Sequence, residues 1–186
     1  MAYIWLIRHG QTDWNLEDRY QGQMDIPLNS TGLAQARRLA EYLVCQGLNF
    51  NAIYTSDLER ATQTAQIINQ RLRLPLYSDE RLREIFLGSW EGKTAQEVQQ
   101  AYGHCLTTGH VAADGESVQQ VADRMTQAVK EYIAKHPQGQ ILIVSHGFAL
   151  STLLCVANGQ PLERAFQIDI QNAHPLKICW DHPKSA

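Results

Sequence analysis

Residues 3–10 are Tyr3-Ile4-Trp5-Leu6-Ile7-Arg8-His9-Gly10, an apolar run that ends in two basic residues and a glycine. A second apolar run, Ile141-Leu142-Ile143-Val144, is followed by Ser145-His146-Gly147. Runs of this length are typical of strands that are buried on both faces of a parallel sheet. Because open α/β sheets bind ligands at the carboxyl edge of their strands, we expect His9 and His146 to meet there. No acidic residue adjoins either histidine in the sequence, so we interpret this edge as an anion site.

Strand-like and helix-like segments alternate over the rest of the chain, and this order predicts an α/β fold. We expect strands at 3–7, 52–55, 140–144, 165–170 and 176–180. Helices are predicted from a cap at Ser30 or Thr31 to Val44, from a cap at Ser56 or Asp57 to Leu72, and over 94–102, 116–136 and 147–158. Because no Gly/Ser-rich linker or repeat divides the chain, we expect one domain over residues 1–186, with 79–117 as a lid or substrate-side excursion. Residues 181–186 are expected to form a frayed tail.

The composition excludes several classes of protein. The chain has 186 residues and a formal net charge of -3, from 16 basic and 19 acidic residues, so we expect no nucleic-acid partner. The longest apolar stretch, 148–157, is too short to span a bilayer, and the four cysteines form no C-x-x-C pair. Without a secretory leader, the sequence predicts a soluble, cytoplasmic protein with reduced thiols and no membrane partner. A homodimer is compatible with these features, and the oligomeric state stays open.

The arginines near the predicted sheet edge suit a phosphomonoester, which carries about -1.5 to -2 charges near neutral pH and needs several fixed donors. Arg8 ends the first strand, and its planar guanidinium can bind two phosphoryl oxygens at once. Arg60 lies in the first turns of the helix that follows the second strand, so its side chain can also point towards this edge.

His9 is the candidate nucleophile, because imidazole can attack phosphorus and form a covalent intermediate that water later hydrolyses. The ring must be neutral to attack, which favours a hydrogen bond that fixes its other nitrogen, for example to a backbone carbonyl. Glu84, within the segment 82–92, is the acid that we select to protonate the leaving oxygen. On spacing alone, four other carboxyl groups compete for this role: Glu91, Asp13, Glu17 and Glu80.

Residues 6–15, Leu6-Ile7-Arg8-His9-Gly10-Gln11-Thr12-Asp13-Trp14-Asn15, resemble the signature of the histidine phosphatase superfamily, also called the phosphoglycerate mutase-like family. The likeness continues through 19–29, Gly32 and Gln35-Ala36. Later blocks that resemble the family in order and spacing are 56–65, 84–92, Asp114-Gly115-Glu116-Ser117 and 144–147. Together these blocks span nearly the whole chain.

The resemblance implies a three-layer α/β/α sandwich with a mostly parallel central sheet. It also implies a metal-independent phosphomonoester hydrolase without a cofactor, which acts on a small phosphorylated metabolite through phosphohistidine. In this assignment His9 is the nucleophile, Glu84 is the proton donor, and the cations Arg8, Arg60 and His146 hold the phosphoryl group. Asn15 is a further phosphate contact, the backbone N–H of Gly147 at a helix N-terminus offers another anion donor, and Gln21 and Gly22 are expected near the pocket mouth.

Two positions depart from the family pattern. Gln11 stands where many relatives have glutamate, and 171–175 differs from the expected Asn-Ala/Cys-Ser type of segment. His174 in this segment is either a substrate contact or a residue at the edge of a strand.

Three other functions compete with that of a phosphatase. A metal enzyme is disfavoured because His104 and His110 flank no carboxylate cluster and no H-E-x-x-H or Cys/His pattern occurs, so we predict no metal site. A cofactor-dependent phosphoglycerate mutase would use the same pocket. The resembling mutases carry longer insertions and tails that shield phosphohistidine, whereas this chain stops soon after its last strand, which favours a phosphatase. A catalytically silent, phosphate-binding regulatory protein is disfavoured because every catalytic position is present.

The substrate itself stays open at this stage. The segment 105–113 is expected to form part of the specificity wall, and it supplies no basic pair to bind a second phosphate.

Overall fold

The computed structural model of the protein describes residues 2–180. Its strands are β1 (Ala2–Arg8), β2 (Ala52–Thr55), β3 (Leu76–Ser78), β4 (Gln140–Ser145) and β5 (Pro175–Trp180). Its α-helices are α1 (Asp13–Leu16), α2 (Ser30–Cys45), α3 (Glu59–Leu72), α4 (Ala95–Tyr102), α5 (Val118–Lys135) and α6 (Gly147–Ala157). Short 3-10 helices occupy Glu80–Leu82, Gly88–Trp90, Leu106–Thr108 and Leu162–Gln167. The frayed tail predicted for 181–186 lies outside the described residues.

The strands form one mixed sheet in the order β3-β2-β4-β1-β5. Neighbouring strands are parallel except for β5, which runs antiparallel to β1 at one edge. Arg8 at the end of β1 is in register with Ser145 at the end of β4, and the backbone N–H of His9 donates to the Ser145 carbonyl at 2.9 Å. The two predicted histidines therefore leave adjacent central strands side by side, at the carboxyl edge of the sheet.

Alternating side chains of the strands are buried on opposite faces of the sheet, as the two-residue period of a strand requires. Trp5 and Ile7 pack in one core with residues of α2 and α3, and Ile4 and Leu6 pack in the other with residues of α5 and α6. The structure is thus a three-layer α/β/α sandwich with a mostly parallel sheet, as predicted.

Several local predictions were wrong. Of the strand expected at 165–170, residues 165–167 end a 3-10 helix and 168–170 form no regular element, because this segment follows Pro161 and packs against α6 instead of pairing with the sheet. Strand β3 was not predicted, and it is only three residues long. Asn29, not Ser30 or Thr31, caps α2, since its side chain accepts from the N–H of Gly32.

The predicted cap of α3 was also wrong. The helix begins at Glu59, and its N-cap residue, Leu58, supplies no side-chain cap. The Glu59 N–H donates to the carboxylate of Asp25 at 2.6 Å, while the carboxylate of Asp57 is bound by Arg83. The hydroxyl of Ser56 accepts from the Leu58 N–H instead.

Residues 79–117 contain α4 and three short 3-10 turns. Their large apolar side chains, Leu82, Ile85, Leu87 and Trp90, are buried in the core that α5 and α6 share. The segment is therefore packed onto one face of the sheet, and it brings Glu84 towards the sheet edge. Among the described residues, no helix is both long and apolar enough to cross a membrane.

Candidate active site

His9 follows β1 directly, and its side chain is only 3% exposed. Its Nδ1 lies 2.7 Å from the carbonyl oxygen of Gly10. Because a carbonyl only accepts, Nδ1 carries the proton and Nε2 keeps its lone pair. Burial, together with the positive charges of Arg60 and Arg8, holds the pKa of His9 well below its ordinary value of 6.5. The ring is thus neutral with Nε2 free to attack, and the predicted backbone acceptor is Gly10.

The tight turn after His9 depends on two glycines. A Cβ on Gly10 would lie 2.6 Å from the Gly32 carbonyl oxygen, and a Cβ on Gly32 would lie 2.1 Å from that of Gln11. The first turn of α2 therefore packs directly against the backbone that accepts the His9 hydrogen bond.

His146 follows β4 and is fully buried, with its ring centroid 5.2 Å from that of His9. Its Nδ1 accepts from the Nε of Arg60 at 3.2 Å, so Nε2 carries the ring proton. Within the described part of the chain, this Nε2 is buried without a hydrogen-bond partner. Burial first, and the charge of Arg60 second, lower the pKa of His146 well below 6.5. His146 is therefore a neutral N–H donor, whereas the sequence predicted a cation.

Arg60 is 0% exposed, and so it is not the solvated helical arginine that its position alone would favour. Besides its bond to His146, its guanidinium donates to the carbonyls of Met24 and Gly22, each at 2.7 Å. These three bonds leave two of its five N–H groups for another acceptor. Burial lowers the pKa of Arg60 to about 10, so the side chain stays cationic at neutral pH.

Arg8 lies at the end of β1, beside the first residue of α6. Its Nη1 donates to the carbonyl of Ile170 at 2.7 Å and lies 3.9 Å from a carboxylate oxygen of Asp169. Its Nε is buried without a partner among the described residues. A Cβ on Gly147 would lie 3.4 Å from this Nε, so the glycine allows close packing of the guanidinium against α6.

Glu84 is partly buried, and its carboxylate lies against the N-terminus of α6. Oε1 accepts from the N–H groups of Ile85 and Ala149 at 3.0 and 2.9 Å, and Oε2 accepts from that of Phe148 at 3.1 Å. Phe148 and Ala149 in the first turn of α6 therefore bind the acid, and the role of the Gly147 N–H as an anion donor stays a prediction. Among the described residues Oε2 accepts from one N–H group, so this oxygen retains a lone pair that can carry a proton.

The other predicted contacts lie around the same space. The Oδ1 of Asn15 accepts from the Thr12 backbone and hydroxyl, which orients this side chain. Gln21 is buried, and Gly22 has a φ of +49°. A Cβ on Gly22 would lie 2.1 Å from a carboxylate oxygen of Glu91, so only glycine fits at this turn. Seven of the nine predicted residues, all except His146 and Gly147, line one inner cavity of about 130 Å³.

Leu106 also lines the inner cavity, which agrees with a wall formed by 105–113. Thr107, from the same segment, lines a larger cavity of about 800 Å³ that adjoins the first. His174 is exposed and lines neither of these cavities; it lies with Arg38 and Tyr42 beside a separate groove.

Sequence reasoning missed Arg124, on α5. Its guanidinium donates to the carbonyls of Arg81, Arg83 and Glu84 at 2.8, 2.6 and 3.0 Å, and both Nε and Nη2 bind the carboxylate of Glu116. Glu116 in turn accepts from the N–H of Phe86 at 2.9 Å. Glu116 and Arg124 thus hold the backbone on both sides of Glu84. The acidic block at 114–117 was the only sequence signal that pointed to this clamp.

Within residues 2–180, no group of three or more His, Cys, Asp or Glu side chains is arranged to hold a metal ion. The site instead combines hydrogen-bond donors with one nucleophile, His9, and one carboxyl group, that of Glu84. This arrangement is suited to phosphoryl transfer, in which fixed donors stabilise charge on the phosphoryl oxygens.

The family model described as histidine phosphatase superfamily (branch 1) matches residues 4–186. The chain belongs to this superfamily. It is 36% identical over 162 residues to the protein named uncharacterized phosphatase PhoE from Bacillus subtilis, covering 87% of this chain and 80% of that one. It is also 36% identical over 188 residues to the protein named probable phosphoglycerate mutase GpmB from Proteus mirabilis, covering 98% and 86% of the two chains.

The fold of this superfamily member is also close to that of solved structures. A mycobacterial glucosyl-3-phosphoglycerate phosphatase, solved with VO3, superposes with a TM-score of 0.88 at 29% identity, covering 95% of this chain and 90% of that one. The superfamily predicted from the motifs is therefore confirmed, and relatives named as phosphatases and as mutases both occur at similar identity.

Proposed function

We propose that this protein is a metal-independent phosphomonoester hydrolase that acts on a small phosphorylated metabolite through a phosphohistidine at His9. The observation that carries this proposal is the hydrogen bond between His9 Nδ1 and the Gly10 carbonyl, 2.7 Å long. It leaves the Nε2 lone pair at a cavity whose wall includes Arg8 and Arg60, next to His146. A neutral, oriented imidazole among phosphate-binding donors is the arrangement that nucleophilic attack on phosphorus needs.

In the first step, Nε2 of His9 attacks phosphorus while the bond to the ester oxygen breaks. Oε2 of Glu84 gives its proton to the leaving oxygen, so that a neutral alcohol departs. The phosphorylated ring becomes a cation that still donates from Nδ1 to Gly10. Arg8, Arg60 and the N–H of His146 stabilise the charge on the equatorial phosphoryl oxygens.

In the second step, water attacks the phosphoryl group and the P–N bond breaks. The carboxylate of Glu84, now without its proton, accepts one from the water. Orthophosphate leaves, and His9 and Glu84 return to their starting states. One carboxyl group therefore serves as acid and then as base.

A screen of phosphomonoesters with the wild-type protein and with His9→Ala tests the proposal. We expect phosphate release that survives a chelator, is inhibited by vanadate, and is lost in the variant. Equal phosphate release by both proteins would refute the assignment of His9. If the wild-type protein released no phosphate from any ester, p-nitrophenyl phosphate included, it would instead be a phosphate-binding regulatory protein.

A phosphoglycerate mutase is the second candidate, because the protein named probable phosphoglycerate mutase GpmB is similar to this chain over nearly its whole length. The mutase reaction uses the same first step and returns the phosphoryl group to a second hydroxyl. Conversion of 3-phosphoglycerate to 2-phosphoglycerate without release of phosphate would identify a mutase. We expect phosphate release instead.

A further inference from the structure

A second, larger cavity lies directly outside the proposed phosphoryl site. Its volume is about 800 Å³, and it shares Arg8, Asn15, Arg19 and Tyr20 with the inner cavity. A group attached to a phosphoryl group in the inner cavity can therefore extend into the outer one. The properties of its wall select the leaving alcohol.

The charged groups of this wall do not suit a second anion. The described residues that line it include three carboxylates, Glu17, Asp18 and Asp169, and two arginines. Arg8 belongs to the phosphoryl site. Arg19 and Glu17 form an ion pair, in which the Nε of Arg19 donates to Glu17 at 2.7 Å, so the charges of these two residues largely offset each other. Asp18 and Asp169 are the carboxylates of the wall outside this pair. A carboxylate or a second phosphate on the substrate would meet like charges there, which is unfavourable.

The neutral part of the wall suits hydroxyl groups. Amide side chains line it at Gln11, Asn15, Gln96 and Gln171, together with the hydroxyl-bearing Thr94. Amides both donate and accept, as the hydroxyls of a polyol do. The partly exposed rings of Trp14 and Tyr20 add apolar surface for the C–H groups of such a ligand. A wide, polar wall with a few aromatic rings is a suitable site for a sugar.

We propose that the outer cavity binds a neutral, polyhydroxylated leaving group, so that the substrate is a sugar or polyol phosphate whose phosphoryl group is its only anionic group. This inference rests on the proposed function and names the substrate class of the same site. It predicts discrimination against esters that carry a carboxylate, and 3-phosphoglycerate is one of them.

Two matched pairs of esters test this inference. Glucitol 6-phosphate and 6-phosphogluconate are both open chains that differ by a carboxylate at the far end, as do glycerol 3-phosphate and 3-phosphoglycerate. We expect kcat/KM for the neutral member of each pair to be at least about tenfold higher. Equal or higher values for the carboxylated members would overturn the proposal.

Charge-neutral variants locate the cause of the discrimination. Asp18 has a φ of +53°, a conformation that asparagine tolerates, so Asp18→Asn removes a charge with little strain. In this variant we expect the ratio of kcat/KM for the neutral ester to that for the carboxylated ester to fall by about two- to fivefold, as for other exposed charges. Asp123→Asn, an exposed change on α5 far from the cavity, should leave it unchanged. An unchanged preference in Asp18→Asn and in Asp169→Asn would show that the acidic wall is not its cause.

The test separates this inference from the proposed function. Hydrolysis of p-nitrophenyl phosphate by the wild-type protein reports on the function alone. If that activity were absent, the dissociation constants of the wild-type protein for glucitol 6-phosphate and 6-phosphogluconate would still be measurable by calorimetry. Tighter binding of the neutral ester would then support the inference although the function had failed, and equal or tighter binding of 6-phosphogluconate would refute it.

Discussion

Replacement of Arg124 by methionine should impair proton transfer without removing any group from the phosphoryl site. Arg124 makes three hydrogen bonds to the carbonyls of Arg81, Arg83 and Glu84, and a two-bond pair with Glu116. Methionine fills a similar volume but keeps none of these bonds. Among the described residues, the Glu84 carbonyl then keeps the hydrogen bond from the amide of Gln23 at 3.1 Å, and the N–H of Phe86 keeps its bond to Glu116.

The size of the effect follows from what the acid contributes. General acid catalysis is worth roughly 10²–10⁴-fold, and a displacement of about 1 Å can remove roughly 10²-fold of rate. We therefore expect kcat for glycerol 3-phosphate to fall by about 10²-fold. For 2,4-dinitrophenyl phosphate, whose leaving group needs no proton, the fall should stay below about threefold, since His9 and its donors are intact.

The assay compares these two substrates for the wild-type protein, Arg124→Met and Arg124→Lys. Loss of a paired, largely buried arginine lowers the free energy of unfolding by about 3–5 kcal/mol, so rates are measured well below the melting temperature of each variant. Arg81→Lys is the matched control, because Arg81 pairs with Asp79 and Glu131 and its side chain makes no bond to Glu84. Equal losses on both substrates would refute a positioning role for Arg124, because that pattern indicates general damage to the site.

Three further predictions follow from the same geometry. Glu84→Gln should lower kcat for glycerol 3-phosphate by roughly 10²–10⁴-fold but leave 2,4-dinitrophenyl phosphate much less affected; loss on both would argue against a proton donor. Arg60→Lys cannot keep the bonds to the Met24 and Gly22 carbonyls, so vanadate inhibition should weaken by at least about tenfold, and unchanged inhibition would contradict a phosphate-binding role. The pKa values of His9 and His146 are lowered in the folded protein, so as the pH falls below 6.5 these histidines are protonated in the unfolded chain but not in the folded one. In urea titrations the free energy of unfolding should then fall by up to about 1.4 kcal/mol per pH unit for each histidine, and His146→Asn should remove one such contribution; an identical slope in the variant would count against it.

The central strands and the helices beside them could be predicted because the spacing of apolar residues within each segment indicates which face is buried. Strand β1 is a continuous apolar run, and the helix over 118–135 shows the spacing of a single buried face. Strand β3 has three residues, and its pairing with β2 depends on the position of the C-terminal end of α3, which precedes it. The residues at 165–170 have the composition of a strand, but their surroundings favour packing against α6 outside the sheet. Both failures come from tertiary contacts that no short window of sequence contains.

The same limit applies to the site. His9 and His146 could be placed together because both follow central strands, and the structure brings their rings within 5.2 Å. The neutral state of His146 could not be predicted, since it depends on complete burial and on the guanidinium of Arg60, 86 positions away in sequence. Arg124 has the sequence surroundings of an ordinary helical arginine, and only its distant carbonyl partners distinguish it.

The start of α6 positions both the proposed proton donor, Glu84, and the proposed phosphate donor, His146. His146 is the N-cap residue of this helix, and the next two N–H groups after Gly147 bind the carboxylate of Glu84. Any movement of this helix end would therefore shift the proposed acid and the proposed phosphate donor together, which preserves the distance between these two groups. The walls of the outer cavity come from other segments: 11–20, 94–96, Thr107 and 169–172. Changes there can alter the leaving alcohol without disturbing the start of α6, so a single phosphoryl-transfer site is compatible with relatives that carry the names of different phosphatases and mutases.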